Sequence, residues 1–103
     1  MLLLMQNPDQ MALAVKAVDN GDSRQIINLV EEVLRLESPT SGMWRMMLQD
    51  AELGGVSIPK GAMVQLRYAA ANRDPAKFHD PDRFDITRQN ARAHLAFGKG
   101  IHM

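Results

Sequence analysis

A chain of 103 residues is long enough for one domain and too short for two. Twelve basic residues balance twelve acidic ones, which excludes the basic excess of a nucleic-acid binder. The absence of cysteine excludes a disulfide framework or a zinc ribbon and fits a reducing, cytoplasmic setting. The opening MLLLM is apolar only as far as Gln6-Asn7-Pro8, whereas a membrane span needs about 18 apolar residues and a secretory signal a basic start. Neither is expected, and MLLLM reads as the end of a buried helix.

Asn7-Pro8-Asp9 starts a second helix, with Asn as N-cap, Pro in the first turn and Asp against the positive end of the helix dipole. Asn20-Gly21-Asp22 ends it. Asp22 and Gln25 then resemble a capping box. Ile26, Ile27, Val30, Val33 and Leu34 keep the 3.6-residue period of a helix that runs to about Leu36, closed by Pro39. Residues 44–48 read as a strand. Gly54-Gly55 is a turn signal that makes a short hairpin of residues 51–53 and 56–58. Residues 62–66 read as another strand and 68–72 as a helical turn or two. From Asp74-Pro75 to Arg92 the text is loop-like, a length without periodicity that suggests a segment leaning on neighbouring structure.

Few side chains stand out for chemistry. Glu32 and Arg35 share a helix face and by spacing alone form a surface pair worth about 0.2–0.5 kcal/mol. Arg83 in Pro81-Asp82-Arg83-Phe84 reads as a surface residue, and His79 as a solvated histidine. Phe97-Gly98-Lys99-Gly100-Ile101-His102 is a two-glycine loop without the spacing of a phosphate loop. His94 and His102 are eight apart with no third ligand at metal-site spacing, so no metal site is expected. Neither a nucleophile with its base nor a carboxylate pair emerges, so no catalytic residue is assigned.

In order, Glu32-x-x-Arg35, GGVSIPKG (54–61), AANRDP (70–75), FHDPDRFD (78–85) and HLAFGKGIH (94–102) resemble the C-terminal half of a bacterial cytochrome P450, a haem-thiolate monooxygenase. The resemblance covers nearly the whole chain. It implies an α+β, mostly helical fragment of that fold, residues 1–103 forming one partial domain with a Glu-x-x-Arg helix, short hairpin strands and a long irregular meander. It implies a structural triad of Glu32, Arg35 and Arg83, and a haem neighbourhood of Arg45, His102, Phe97, Gly98 and Gly100. In it Arg45 and His102 serve the propionates, Phe97 packs near the thiolate, and the two glycines let the loop approach the iron. Residues 40–43 would lie near the substrate pocket.

The family pattern Phe-x-x-Gly-x-x-x-Cys puts its cysteine one residue beyond Met103. The helix that activates dioxygen is also missing. The resemblance therefore implies a truncated piece of an enzyme that inserts oxygen into an organic substrate, using dioxygen and two electrons from a ferredoxin-type partner docking near Lys99. The 103 residues alone are expected to be inactive, to hold no haem stably and to self-associate. The alternatives are half of a split enzyme or a non-catalytic interaction module. Neither a nucleic acid nor a membrane is an expected partner.

Overall fold

The computed structural model describes residues 1–100; Ile101, His102 and Met103, and with them the role expected of His102, lie outside the described residues. Helix α1 (Leu2–Gln6) is short and buries none of its residues, so MLLLM is helical as expected but largely exposed. Helix α2 (Pro8–Asp19) starts where the Asn-Pro-Asp signal puts it. Asn7 makes no side-chain cap there, however; its Nδ2 donates back to the Leu3 carbonyl (2.8 Å) and closes α1 instead. Helix α3 (Ser23–Leu36) has the bounds that the periodicity indicates. Asp22 caps it by accepting from the Gln25 amide at 3.0 Å, but the Gln25 side chain does not complete the box. It reaches out to the Ile86 carbonyl, so the residue meant to close the helix end pins the meander to it.

Strand β1 (Met43–Met46) pairs antiparallel with β4 (Met63–Leu66), in a register that sets Met43 opposite Leu66 and Met46 opposite Met63. Between them β2 (Ala51–Leu53) and β3 (Val56–Ile58) form a separate hairpin. Gly54 and Gly55 both take positive φ, 56° and 79°, as a tight two-residue hairpin turn demands. A single turn of helix, α4 (Tyr68–Ala71), follows β4. From there to Asn90 the chain is turn and loop, ending in a 3-10 turn at Ala91–Ala93.

The core is small: Ala14, Leu36, Phe84 and Ile86, with Leu3, Leu4, Leu29 and Val33 packed against it. Phe84 and Ile86 come from the meander, so this core forms only when that segment folds onto α2 and α3. The radius of gyration is 17.1 Å, against about 13 Å for a compact chain of this length. Cross-strand pairing puts Trp44, Met46 and Met63 on one face of the β1–β4 ribbon and Met43 and Leu66 on the other, and all five are exposed. A two-stranded ribbon with apolar residues open on both faces is an element whose packing partners lie elsewhere. No helix among the described residues is long and apolar enough to cross a membrane.

Candidate functional site

Helix α3 presents Glu32 and Arg35 to the meander, and both are fully buried, so the pair is not the solvated surface pair that its spacing suggests. Arg35 Nε and Nη2 grip the two oxygens of Glu32 at 2.7 and 2.9 Å, the bidentate geometry that strengthens a charged hydrogen bond. The remaining donors reach backbone carbonyls: Nη1 to Asn72 (2.8 Å) and Pro81 (2.7 Å), Nη2 to Arg83 (3.2 Å). All five guanidinium protons are used. The Phe78 ring lies under the guanidinium, 5.2 Å from centroid to Cζ, and closes the site with a cation–π contact.

The second arginine of the cluster is Arg88. Its Nε donates to Glu32 Oε1 at 3.1 Å, and its terminal nitrogens donate to the carbonyls of His79, Asp80 and Arg83. Arg83, expected in that place, is exposed and contributes only its carbonyl, which accepts from both Arg35 and Arg88. The reason is visible in the meander. Phe84, Ile86 and Arg88 are buried while Arg83, Thr87 and Gln89 are exposed, the alternation of an extended segment lying on a core. Arg83 is out of phase with the two apolar residues and Arg88 is in phase. That alternation is legible in Phe84-Asp85-Ile86-Thr87-Arg88 and is the signal that would have found Arg88.

Two cations meet one carboxylate here. The excess charge is spread over five carbonyl oxygens, and the Asp85 amide adds a further donor to Glu32 Oε1 at 3.0 Å. Among the described residues no buried side-chain nitrogen or oxygen lacks a partner. Beside the cluster, partial burial pushes the Asp85 carboxyl up. The Thr87 hydroxyl and amide, with the nearby guanidinium charges of Arg83 and Arg88, outweigh it and hold the group below its ordinary value.

The meander delivers the chain to the two-glycine loop. Asn72 is fully buried: its Oδ1 accepts from the Leu95 amide at 2.7 Å and its Nδ2 donates to Ser38 at 2.7 Å. Gly98 has φ of 79° and lies against Tyr68, whose hydroxyl would stand 3.4 Å from an added Cβ. Phe97 is exposed, edge-on to His94 with ring centroids 6.0 Å apart. Lys99 and Gly100 are exposed, as is His79. Arg45 sits apart, on β1. Its Nη1 donates to the neighbouring Trp44 carbonyl at 2.9 Å, and among the described residues no carboxylate pairs with it. The structure thus joins Glu32 with Arg35, and Phe97 with His94, and leaves Arg45 on the open sheet.

A glutamate and two arginines, three and 56 residues from it, together hold a long segment that lacks regular structure. The family model that matches the chain, over residues 26–103, is Cytochrome P450. The chain belongs to the cytochrome P450 family. It is 45% identical over 100 residues to the 6-deoxyerythronolide B hydroxylase of Saccharopolyspora erythraea, covering 97% of this chain and 23% of that protein. Among solved structures it is similar to Cytochrome P450-153 from Novosphingobium aromaticivorans, with a TM-score of 0.87 and 41% identity over 97% of this chain and 24% of that one. It is also similar to P450BioI, solved in complex with hexadec-9Z-enoic acid ligated acyl carrier protein, with a TM-score of 0.85 and 46% identity over 98% of this chain and 25% of that one. The chain spans about a quarter of the length of the relatives it matches. The open sheet, the small core and the extended shape are what a quarter of a cytochrome P450 fold presents when its neighbours are not drawn around it.

Proposed function

We propose that these 103 residues serve as a part of a haem monooxygenase that lies against the haem on the side of its thiolate ligand without supplying that ligand, in an enzyme that inserts one oxygen atom of dioxygen into an organic substrate with two electrons. The observation that carries this reading is the fully satisfied cluster of Glu32, Arg35 and Arg88, which fixes the meander and so the start of the 94–100 loop. Removing one member of such a cluster strands the others in a dry interior, which makes it a precise anchor.

The residues present fit the rim of a haem. Arg45, without a carboxylate partner among the described residues, suits a propionate, and the exposed Phe97 ring suits a flat apolar macrocycle. Gly98 and Gly100 give the loop a backbone free of side-chain bulk. When bound, haem with a thiolate ligand supplies the electron push that favours O–O cleavage. The chain contains no cysteine, so that thiolate comes from outside these residues, and the 103 residues alone give no turnover. Electrons come from a ferredoxin-type protein at the loop face, beside Lys99, and the enzyme works in the cytoplasm.

The test replaces the matching quarter of the Novosphingobium protein with these residues. The chimera, with its cysteine supplied by that protein, is expected to take up haem and give a thiolate-type Soret band with carbon monoxide. Arg45→Ala in the chimera loosens haem retention. A folded chimera without haem overturns the reading. A thiolate-type band from the 103 residues alone overturns the claim of inactivity.

A further inference from the structure

His94 is buried at the mouth of the loop, 63 residues from its partner, and the cluster above makes no use of it. Its Nε2 stands 2.9 Å from Glu31 Oε2 on α3, and its Nδ1 stands 3.1 Å from the amide nitrogen of Ala96. An amide N–H can only donate, so Nδ1 is the acceptor, and the single proton of the neutral ring then sits on Nε2 and is donated to Glu31. We propose that His94 is a positioning residue that sets the 97–100 loop, working as a neutral imidazole that ties the Ala96 backbone to Glu31. That the loop faces a cofactor rests on the reading above; the latch itself does not.

The arrangement has a built-in polarity. The ring holds the helix with a donor and the loop with an acceptor. A second proton converts Nδ1 into a donor facing the Ala96 donor, while the bond from Nε2 to Glu31 becomes an ion pair. The protonated ring therefore keeps the helix and lets go of the loop. The charged groups around it are Glu31 on α3 and Arg92 on the 3-10 turn, whose Nε is 3.7 Å from Glu31 Oε1. Lys99 on the loop itself is exposed. Next to Ala96, the Leu95 amide bonds to Asn72 Oδ1, which does not titrate, so the structure contains its own control.

Two nuclear magnetic resonance measurements on the 103-residue chain test this without haem. Nitrogen shifts of the His94 ring at neutral pH are expected to show the Nε2–H tautomer; the Nδ1–H tautomer overturns the proposal. Amide exchange is expected to lose about tenfold protection at Ala96, and none at Leu95, once acid has charged the His94 ring, a state read from the same ring nitrogen shifts. Equal loss at both amides, or none at Ala96, overturns it. His94→Asn places an amide oxygen near the Nδ1 position and is expected to keep Ala96 protected with no pH dependence. His94→Gln reaches only Glu31 and is expected to leave Ala96 unprotected at every pH. The wild-type titration stands if either variant fails to fold. A chimera without haem and an intact latch is a failure of the functional reading alone.

Discussion

Arg88 Nε donates to Glu32 Oε1 at 3.1 Å, while the side chain of Arg83, five residues earlier, points to solvent and only its carbonyl enters the cluster. Arg88→Ala leaves Glu32 with one guanidinium and takes a donor from three carbonyls, of which that of Arg83 keeps Arg35, that of Asp80 keeps the Arg83 amide and that of His79 is stranded. It is expected to cost about 3–5 kcal/mol, whereas Arg83→Ala, which keeps the carbonyl, stays within about 0.5 kcal/mol. Urea unfolding of the two variants under identical conditions checks this, and equal midpoints would show that Arg88 is not the second arginine of the cluster.

Arg35→Lys keeps the charge and loses the fork. An ammonium has three donors on one atom and cannot meet Glu32 and three separated carbonyls together. The expected loss is several kcal/mol, close to that of Arg35→Ala. A denaturation midpoint near that of the wild type would mean that charge alone organises the meander.

Asp85 gives the fold an acid-sensitive edge. Burial raises its carboxyl and the Thr87 bonds and neighbouring guanidinium groups lower it further, so the folded value lies below the unfolded one. Such a group stabilises the fold fully above the unfolded value, about 3.9, and loses that contribution as pH falls through the folded value. Asp85→Asn is therefore expected to be less stable than wild type near neutrality, with the difference shrinking as pH drops below about 4. Thermal melts across pH 2.5–7 read it (about five points suffice), and a gap that widens on acidification would reverse the sign.

Gly98→Ala combines a positive φ with a van der Waals contact to Tyr68, whose hydroxyl would stand 3.4 Å from the new Cβ. The left-handed backbone alone costs about 1–2 kcal/mol for a residue with a Cβ. Pairing it with Tyr68→Phe removes the nearest atom but not the backbone cost, so the double variant is expected to recover only part of the loss. Full recovery in unfolding experiments would locate the whole penalty in the tyrosine contact.

The open ribbon is expected to drive association of the isolated chain. Trp44→Glu with Met46→Lys places charges on one of its faces and should shift the elution volume toward the monomer in concentration-dependent size-exclusion runs. A wild-type elution volume that does not change over a hundredfold range of concentration would remove the ribbon as an adhesive surface.

Helices α2 and α3 and the β2–β3 hairpin are legible in the sequence because caps, period and paired glycines act over a few residues. The pairing of β1 with β4 is not, since a separate hairpin intervenes and nothing in Met43–Met46 names its partner. The burial of Glu32 and Arg35 was equally hidden: a spacing of three fixes a shared face, and only the meander decides whether that face is wet. The family resemblance groups Glu32 and Arg35 with Arg83, whereas the alternation Phe84-Ile86-Arg88 puts Arg88 in phase with the core and on Glu32. His94 and Glu31 meet only after the meander has wrapped around the helix.

Most of what Arg35 and Arg88 recognise is peptide backbone, and a carbonyl is the same whichever residue carries it. The path of the meander is therefore written in a few letters located elsewhere. Glu32, Arg35 and Arg88 act as grammar, while positions such as Pro81 and Arg83 supply vocabulary that can change without altering the meaning. A lineage carrying this cluster is free to rewrite the outward-facing half of the meander, and so to change what that surface meets, while the path beneath it is kept.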